Sequence, residues 1–241
     1  MHVVVTMAGL GSRFRAKGYD VPKYAIEVRG RTMFAWAMES LRHFLPLGTA
    51  TFVVRAEDEP ADFLRRELRP FGVDDPPIVP LDHVTDGQAT TVLLALRSLR
   101  GRDRTGGLVI YNIDTYVEPG FLRPGDVRGD GWIPCFPGRG DAWSFFRTDG
   151  HDRVLEAREK VRVSEHCSIG LYYFSSLDLY EDTYRAFYGA GTPEGLRERY
   201  VAPMYQHLVE AGRPLWIHRV PATAVHPLGT PEEVEAFARE T

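Results

Sequence analysis

Short apolar runs at residues 3–6, 51–54, 78–81 and 108–111 alternate with stretches whose apolar residues recur at helical spacing. Phe34, Met38, Leu41 and Leu45 form one such stretch and Leu64 with Leu68 a second. Val92, Leu93, Leu96 and Leu99 form a third, opened by Gly87 and Gln88. Strand and helix in strict alternation predict a parallel sheet, because parallel neighbours need a long crossover and a helix is the usual one. The run at 108–111 is apolar at every position, as a strand covered on both faces must be.

After Asp114 the pattern changes. Segments 132–136, 144–147, 154–159 and 170–174 read as strands joined by Gly, Asp and Pro turns. Helices follow around 177–188 and 200–210, then a strand at 215–218 and a short helix from Thr230. No repeat, low-complexity tract or linker interrupts the chain. The expectation is one domain, with residues of about 1–114 forming one wall of a cleft and about 115–241 the other.

Composition narrows the class. A chain of 241 residues with 44% hydrophobic and 26% charged residues is of ordinary globular make-up. Its net charge of −4 gives no footprint for nucleic acid. No apolar run approaches the roughly 20 residues of a membrane span, and the first residues lack the features of a signal peptide. A cytoplasmic location is the default expectation, and a homo-oligomer is left open. The two cysteines, Cys135 and Cys167, make no disulfide framework and read as small core residues. The basic cluster Arg97, Arg100, Arg102 and Arg104 reads as a solvated helix end.

The chemistry concentrates in a few places. Ala8-Gly9-Leu10-Gly11-Ser12-Arg13 directly follows the first strand. Its glycines let backbone N–H groups approach a phosphate, and Arg13 adds a fork of donors suited to phosphate oxygens. Lys23, after Pro22, supplies a second and more mobile positive charge. The loop lacks the Gly-Lys-Ser/Thr ending of a Walker loop, and Phe14 stands where a dinucleotide fingerprint has its third glycine. Asp114 lies at the end of the run 108–111, where ligands bind in open α/β sheets.

These segments resemble, in order, the signatures of the sugar-phosphate nucleotidyltransferases. The resemblance begins with Gly9, Gly11, Ser12, Arg13, Pro22 and Lys23. It continues through Asp86-Gly87-Gln88-Ala89, Asn112-Ile113-Asp114 and Glu159-Lys160. It ends in Ser168-Ile169-Gly170-Leu171-Tyr172 and Gly229-Thr230-Pro231-Glu232-Glu233. It covers nearly the whole chain and is nearest to a capsule- and cell-surface-associated branch that includes cytidylyltransferases.

The resemblance implies a three-layer α/β/α Rossmann-like nucleotidyltransferase fold with a mixed, mostly parallel central sheet. It implies transfer of an NMP unit from an NTP, a pyrimidine one and CTP marginally first, to a phosphorylated small molecule, with release of pyrophosphate. Magnesium would be held by Asp114. The nucleotide would be bound by Ala8, Gly9, Leu10, Gly11, Ser12, Arg13, Lys23, Gly87, Gln88 and Asn112. Glu159, Lys160, Ser168 and Gly170 would face the acceptor, and Asp141, in its glycine turn, is added from its own chemistry. Arg13, Lys23, Asp114 and Lys160 are the expected catalytic set. Two departures stand out. Pro227 takes the place of an Asp that many relatives carry two residues before Gly-Thr, and Ser168 takes the place of an Asn. His226 is expected to be structural, since imidazole suits softer metals than magnesium. The competing readings are a nucleotide-sugar glycosyltransferase and a non-catalytic nucleotide sensor. Asp114-Thr115-Tyr116 lacks the second acid of the Asp-x-Asp motif usual in the first, and a sensor need not keep an acceptor wall.

Overall fold

The structure is a computed structural model and describes residues 1–99 and 104–240. The first half runs β1 (His2–Thr6), α1 (Ser12–Ala16), β2 (Glu27–Val28), β3 (Arg31–Thr32), α2 (Met33–Ser40) and β4 (Thr49–Arg55). It continues through α3 (Ala61–Leu68), β5 (Ile78–Leu81), α4 (Gln88–Ser98), β6 (Leu108–Asn112) and β7 (Thr115–Val117). The second half contains β8 (Gly131–Pro137), β9 (Ser144–Thr148), β10 (Val154–Glu159), β11 (His166–Ser168) and β12 (Leu171–Phe174). It ends with α5 (Leu177–Tyr188), α6 (Ala202–Glu210), β13 (Leu215–Arg219), β14 (Val225–Pro227) and α7 (Pro231–Arg239).

Ten strands form one mixed sheet in the order β10-β9-β11-β8-β12-β6-β1-β4-β5, with β13 alongside β8. Strands β6, β1, β4 and β5 are mutually parallel, as the alternation with helices requires, and β13 is parallel to β8. Strand β12 joins β6 antiparallel and carries the sheet into the meander of the second half. The sheet is therefore continuous across the change of pattern after Asp114.

Strand alternation divides the core into two layers. Val3, Val5, Phe52 and Val54 pack with Phe34, Met38, Leu41, Leu64 and Leu68 from α2 and α3. Val4, Val53 and Ile110 face the other way, against Ala89, Val92 and Leu96 of α4 and the inner faces of α5 and α6. Helices on both faces of one sheet make the expected three layers. Each fully buried Phe or Leu here stabilises the fold by roughly 1.5–3 kcal/mol. A third, smaller core sets Phe14, Tyr116 and Leu228 against Val234 and Phe237 of α7. That helix starts with a reciprocal capping box between Thr230 and Glu233, which fixes where residues 227–230 meet the sheet.

Cys135 and Cys167 are free and buried, as expected. Trp132 is a core residue, 1% exposed. Trp143 stands edge-on to Phe136 and donates from its indole to the Arg139 carbonyl. Arg100 and Arg102 of the basic cluster lie outside the described residues, and Arg104 pairs with Asp178 and Glu181. Among the described residues no helix is long and apolar enough to cross a membrane.

Candidate active site

The carboxyl ends of β1 and β6 lie side by side, with Thr6 opposite Asn112. The glycine loop leaves β1 at this point. Gly11, in the left-handed region at φ 60°, caps α1, and Phe14 and Arg15 both donate to its carbonyl. Sequence reading missed this five-residue helix. Arg13 stands in its first turn, exposed, with no hydrogen bond or ion pair among the described residues. Gly11 also keeps the loop close to Lys23: a Cβ there would touch the Lys23 Cβ at 3.4 Å.

Lys23 is a half-buried charge at the glycine loop. Its side chain is 14% exposed, and Nζ sits 2.7 Å from Asp114 Oδ1 and 3.5 Å from the Gly229 carbonyl oxygen. The Phe14 ring lies under the ammonium at 5.3 Å. Asp114 stands two residues past β6, and its backbone carbonyl accepts from Leu228 N. Three segments distant in sequence, the Pro22-Lys23 turn, the end of β6 and the Gly229-Thr230 turn, therefore converge on one ion pair. The Asp114 carboxylate remains 43% exposed.

The fit to magnesium rests on that carboxylate. Magnesium takes one or two carboxylates and fills its other positions with phosphate oxygens and water. Gly229 lies close by: a Cβ there would stand 3.9 Å from Asp114 Oδ2 and, tightly, 3.3 Å from Glu233 Oε2. A carboxylate 43% open to solvent fits such an ion. Pro227 pairs with Thr115 in the β14–β7 ladder, directly beside Asp114, and a proline offers no ligand. His226 is held away, between Glu118 and Glu240, and stacks on Tyr116. Its structural role is as expected.

A polar row extends from this corner across the sheet. Alternation puts Thr6, Asn112, Ser168, Tyr172, Ser144 and Glu159 on the face that carries α4. The Gln88 side-chain amide donates to Thr6 Oγ1 at 3.1 Å. Gly170, at φ 84°, packs so closely on Asn112 that any side chain would collide with the Asn112 amide. Ser168 is buried, and its hydroxyl accepts from Gly170 N at 3.0 Å, so it shapes the turn. Glu159 ends the row. Its side chain is 7% exposed, Ser144 Oγ donates to it at 2.5 Å, and Lys160 Nζ is 3.7 Å away. Burial raises its carboxyl above the ordinary glutamate range, against the opposing pull of Ser144 and Lys160. Burial likewise raises the Tyr172 phenol, whose oxygen lies 3.3 Å from Ser144 Oγ.

Lys160 adopts a left-handed backbone at φ 55° and donates from Nζ to Tyr200 Oη at 2.7 Å. Asp141, in the loop before β9, is not brought into this row by any contact among the described residues; it pairs with Arg162, which follows β10. Sequence reading assigned no role to Thr6, Ser144, Tyr172, Arg199 or Tyr200. Tyr172 lies inside a quoted motif, but nothing local marks the other four.

No protein-family model and no curated protein sequence matches the chain. Among solved structures, the nucleoside-diphosphate-sugar pyrophosphorylase of Vibrio cholerae superposes with a TM-score of 0.90 at 32% identity, over 100% of both chains. The inositol-1-phosphate CTP transferase of T. maritima shares the fold, with a TM-score of 0.75 at 14% identity over 99% of this chain and 96% of that one. The match over both whole chains makes this protein a nucleotidyltransferase. The chain belongs to the sugar-phosphate nucleotidyltransferase family.

Proposed function

We propose that this enzyme is a magnesium-dependent nucleotidyltransferase that joins the NMP unit of an NTP, a pyrimidine one and CTP first, to a phosphorylated small molecule such as a sugar phosphate. The observation that carries the reading is the Lys23–Asp114 pair, 2.7 Å apart where the glycine loop leaves β1. An acceptor phosphate is already an anionic nucleophile. One of its oxygens attacks the α-phosphorus of the NTP in line, a new phosphoanhydride bond forms, and the bond to the β-phosphate oxygen breaks. Pyrophosphate leaves with the electron pair. No covalent intermediate on the protein is needed, and the task is to place two polyanions and stabilise the charge that builds on the leaving group.

The residues divide that task. Lys23 has three N–H donors, of which Asp114 and Gly229 occupy two, so the third is fixed in direction and free for the α-phosphate. Arg13, exposed and without a hydrogen bond or ion pair among the described residues, is available for the β- and γ-phosphates. Asp114 would hold magnesium, whose charge would offset that of the phosphates when bound. Gln88, at the start of α4 and bonded to Thr6, would read the base. Lys160 supplies the counter-charge for the acceptor's phosphate, and Glu159 takes its hydroxyl or amine groups. One domain would thus divide its two walls between two substrates.

Pyrophosphate release from a matrix of four NTPs and several phosphorylated acceptors, with magnesium present, tests the reading. Release that needs both substrates supports it, and release with no pair removes it. Lys160→Ala sharpens the test. Acceptor kcat/KM should fall about 30- to 1000-fold while NTP affinity stays within a few-fold. Equal losses for both ligands would take Lys160 out of the acceptor wall.

A further inference from the structure

Residues 199 and 200, in the segment between α5 and α6, touch one element of each proposed subsite. Arg199 lies backbone to backbone against Gly87. A Cβ on Gly87 would come within 2.5 Å of Arg199 N and 2.6 Å of its carbonyl oxygen. Two hydrogen bonds close the contact: Arg199 N donates to Asp86 O at 2.7 Å, and Ala89 N donates to Arg199 O at 2.8 Å. Helix α4 has no side-chain cap, so the Arg199 carbonyl satisfies one of its first-turn donors. The Arg199 guanidinium fastens the same spot, meeting Asp86 at 3.0 Å, Thr192 at 3.1 Å and Tyr184 Oη at 2.7 Å.

Tyr200, one peptide further on, holds the acceptor lysine. Its hydroxyl accepts from Lys160 Nζ at 2.7 Å, and its ring lies 4.5 Å from the same ammonium. Its carbonyl accepts from Tyr188 Oη at 2.7 Å, which fixes the backbone from the other side. Lys160 is 47% exposed, so without Tyr200 its long side chain would sample many rotamers. The glycine at 87 is thus explained by contact with the chain itself, and the left-handed Lys160 is steered by a residue 40 positions away.

We propose that Arg199 and Tyr200 link the two subsites, so that a nucleotide on Gly87 and Gln88 tightens the hold of Tyr200 on Lys160 before the acceptor arrives. This rests on the function proposed above. A nucleotide that draws the start of α4 inward pulls the Arg199 carbonyl with it, and Tyr200 carries that shift to the ammonium. Tyr200 is a positioning residue: it acts through Lys160. Linkage is reciprocal, so an acceptor held by Lys160 raises nucleotide affinity by the same factor.

The test reads Lys160 directly and needs no acceptor. Acetylation of Lys160 by a limiting active ester is followed by site-resolved mass spectrometry, with magnesium and the α,β-methylene analogue of each NTP in turn, and analogue binding is measured by calorimetry. In the wild type, the analogue that binds should slow Lys160 acetylation about fivefold, the lower end of usual coupling factors. Tyr200→Ala should bind the analogue about fivefold more weakly than wild type, by the same linkage, and at saturating analogue should show no slowing. Tyr200→Phe, which keeps the ring and the fold, should show a reduced effect. An analogue that binds the wild type without changing Lys160 reactivity overturns the link alone. Slowing that persists in Tyr200→Ala does the same, since the nucleotide would then be covering Lys160 itself. No binding by any analogue overturns the link together with the function on which it rests.

Discussion

Replacing Asp114 with Asn separates a catalytic role for the Lys23–Asp114 pair from a structural one. The substitution keeps the shape and an acceptor for Lys23, and removes one negative charge 2.7 Å from a lysine that is 14% exposed. Asp114 itself is 43% exposed, so solvent screens the pair and its loss should cost about 1 kcal/mol of stability. For a chain of this length that is a fall in Tm of roughly 2–4 °C. The backbone bond from Leu228 N to the Asp114 carbonyl survives, so the turn should hold. Activity should respond on another scale, because the variant loses the carboxylate that would hold magnesium. Turnover should fall by a factor on the order of 100 or more, equivalent to about 2.7 kcal/mol or more of barrier. Pyrophosphate release under saturating substrates, over a magnesium titration, gives the rate, and a thermal melt gives the stability. A variant that melts a few degrees lower yet turns over near the wild-type rate would refute the reasoning and leave the pair a structural contact.

Arg13→Ala should leave the melt unchanged, since Arg13 makes no contact among the described residues, and lower kcat about 10- to 100-fold with a smaller change in the KM for NTP; a change confined to the acceptor's KM would move Arg13 to the other wall. Gly170→Ala forces a side chain into the left-handed φ of 84° and against Asn112, and should cost about 2 kcal/mol or more, seen as a lower denaturation midpoint; an unchanged midpoint would mean that the Gly170 turn relaxes freely. Glu159 has a raised folded-state pKa, so the native state binds more protons than the unfolded chain above the ordinary glutamate pKa, and this residue's contribution to stability falls as pH rises through that window. Glu159→Gln removes that dependence, and its Tm should improve relative to wild type on going from acid to neutral pH; parallel profiles would show that burial does not control Glu159.

Much of this architecture is local information. The periodicity of residues 88–98 and of 177–188 gives α4 and α5, and the unbroken apolar run of β6 marks a strand between two layers. The glycines, Arg13, Lys23 and Asp114 could be picked out because nests, forks and strand-end carboxylates are chemistry carried by a few adjacent residues. The two- and three-residue ladders β2–β3 and β14–β7 escaped notice, because alternation needs more residues than they have. Helix α1 escaped for a related reason: five residues show no helical period, and its start depends on the backbone angle of Gly11.

What the sequence by itself determined is the set of chemical groups and the alternation that builds a parallel half-sheet. Only the tertiary structure decided which groups meet. Lys23 finds Asp114 because β6 lies beside β1, and the polar row from Thr6 to Glu159 exists because the registers of six strands align on one face. Arg199 and Tyr200 carry no motif at all; they reach Gly87 and Lys160 because α5 and α6 pack behind that face. Register between strands distant in sequence depends on every layer packed around them, and no window of the chain contains that information.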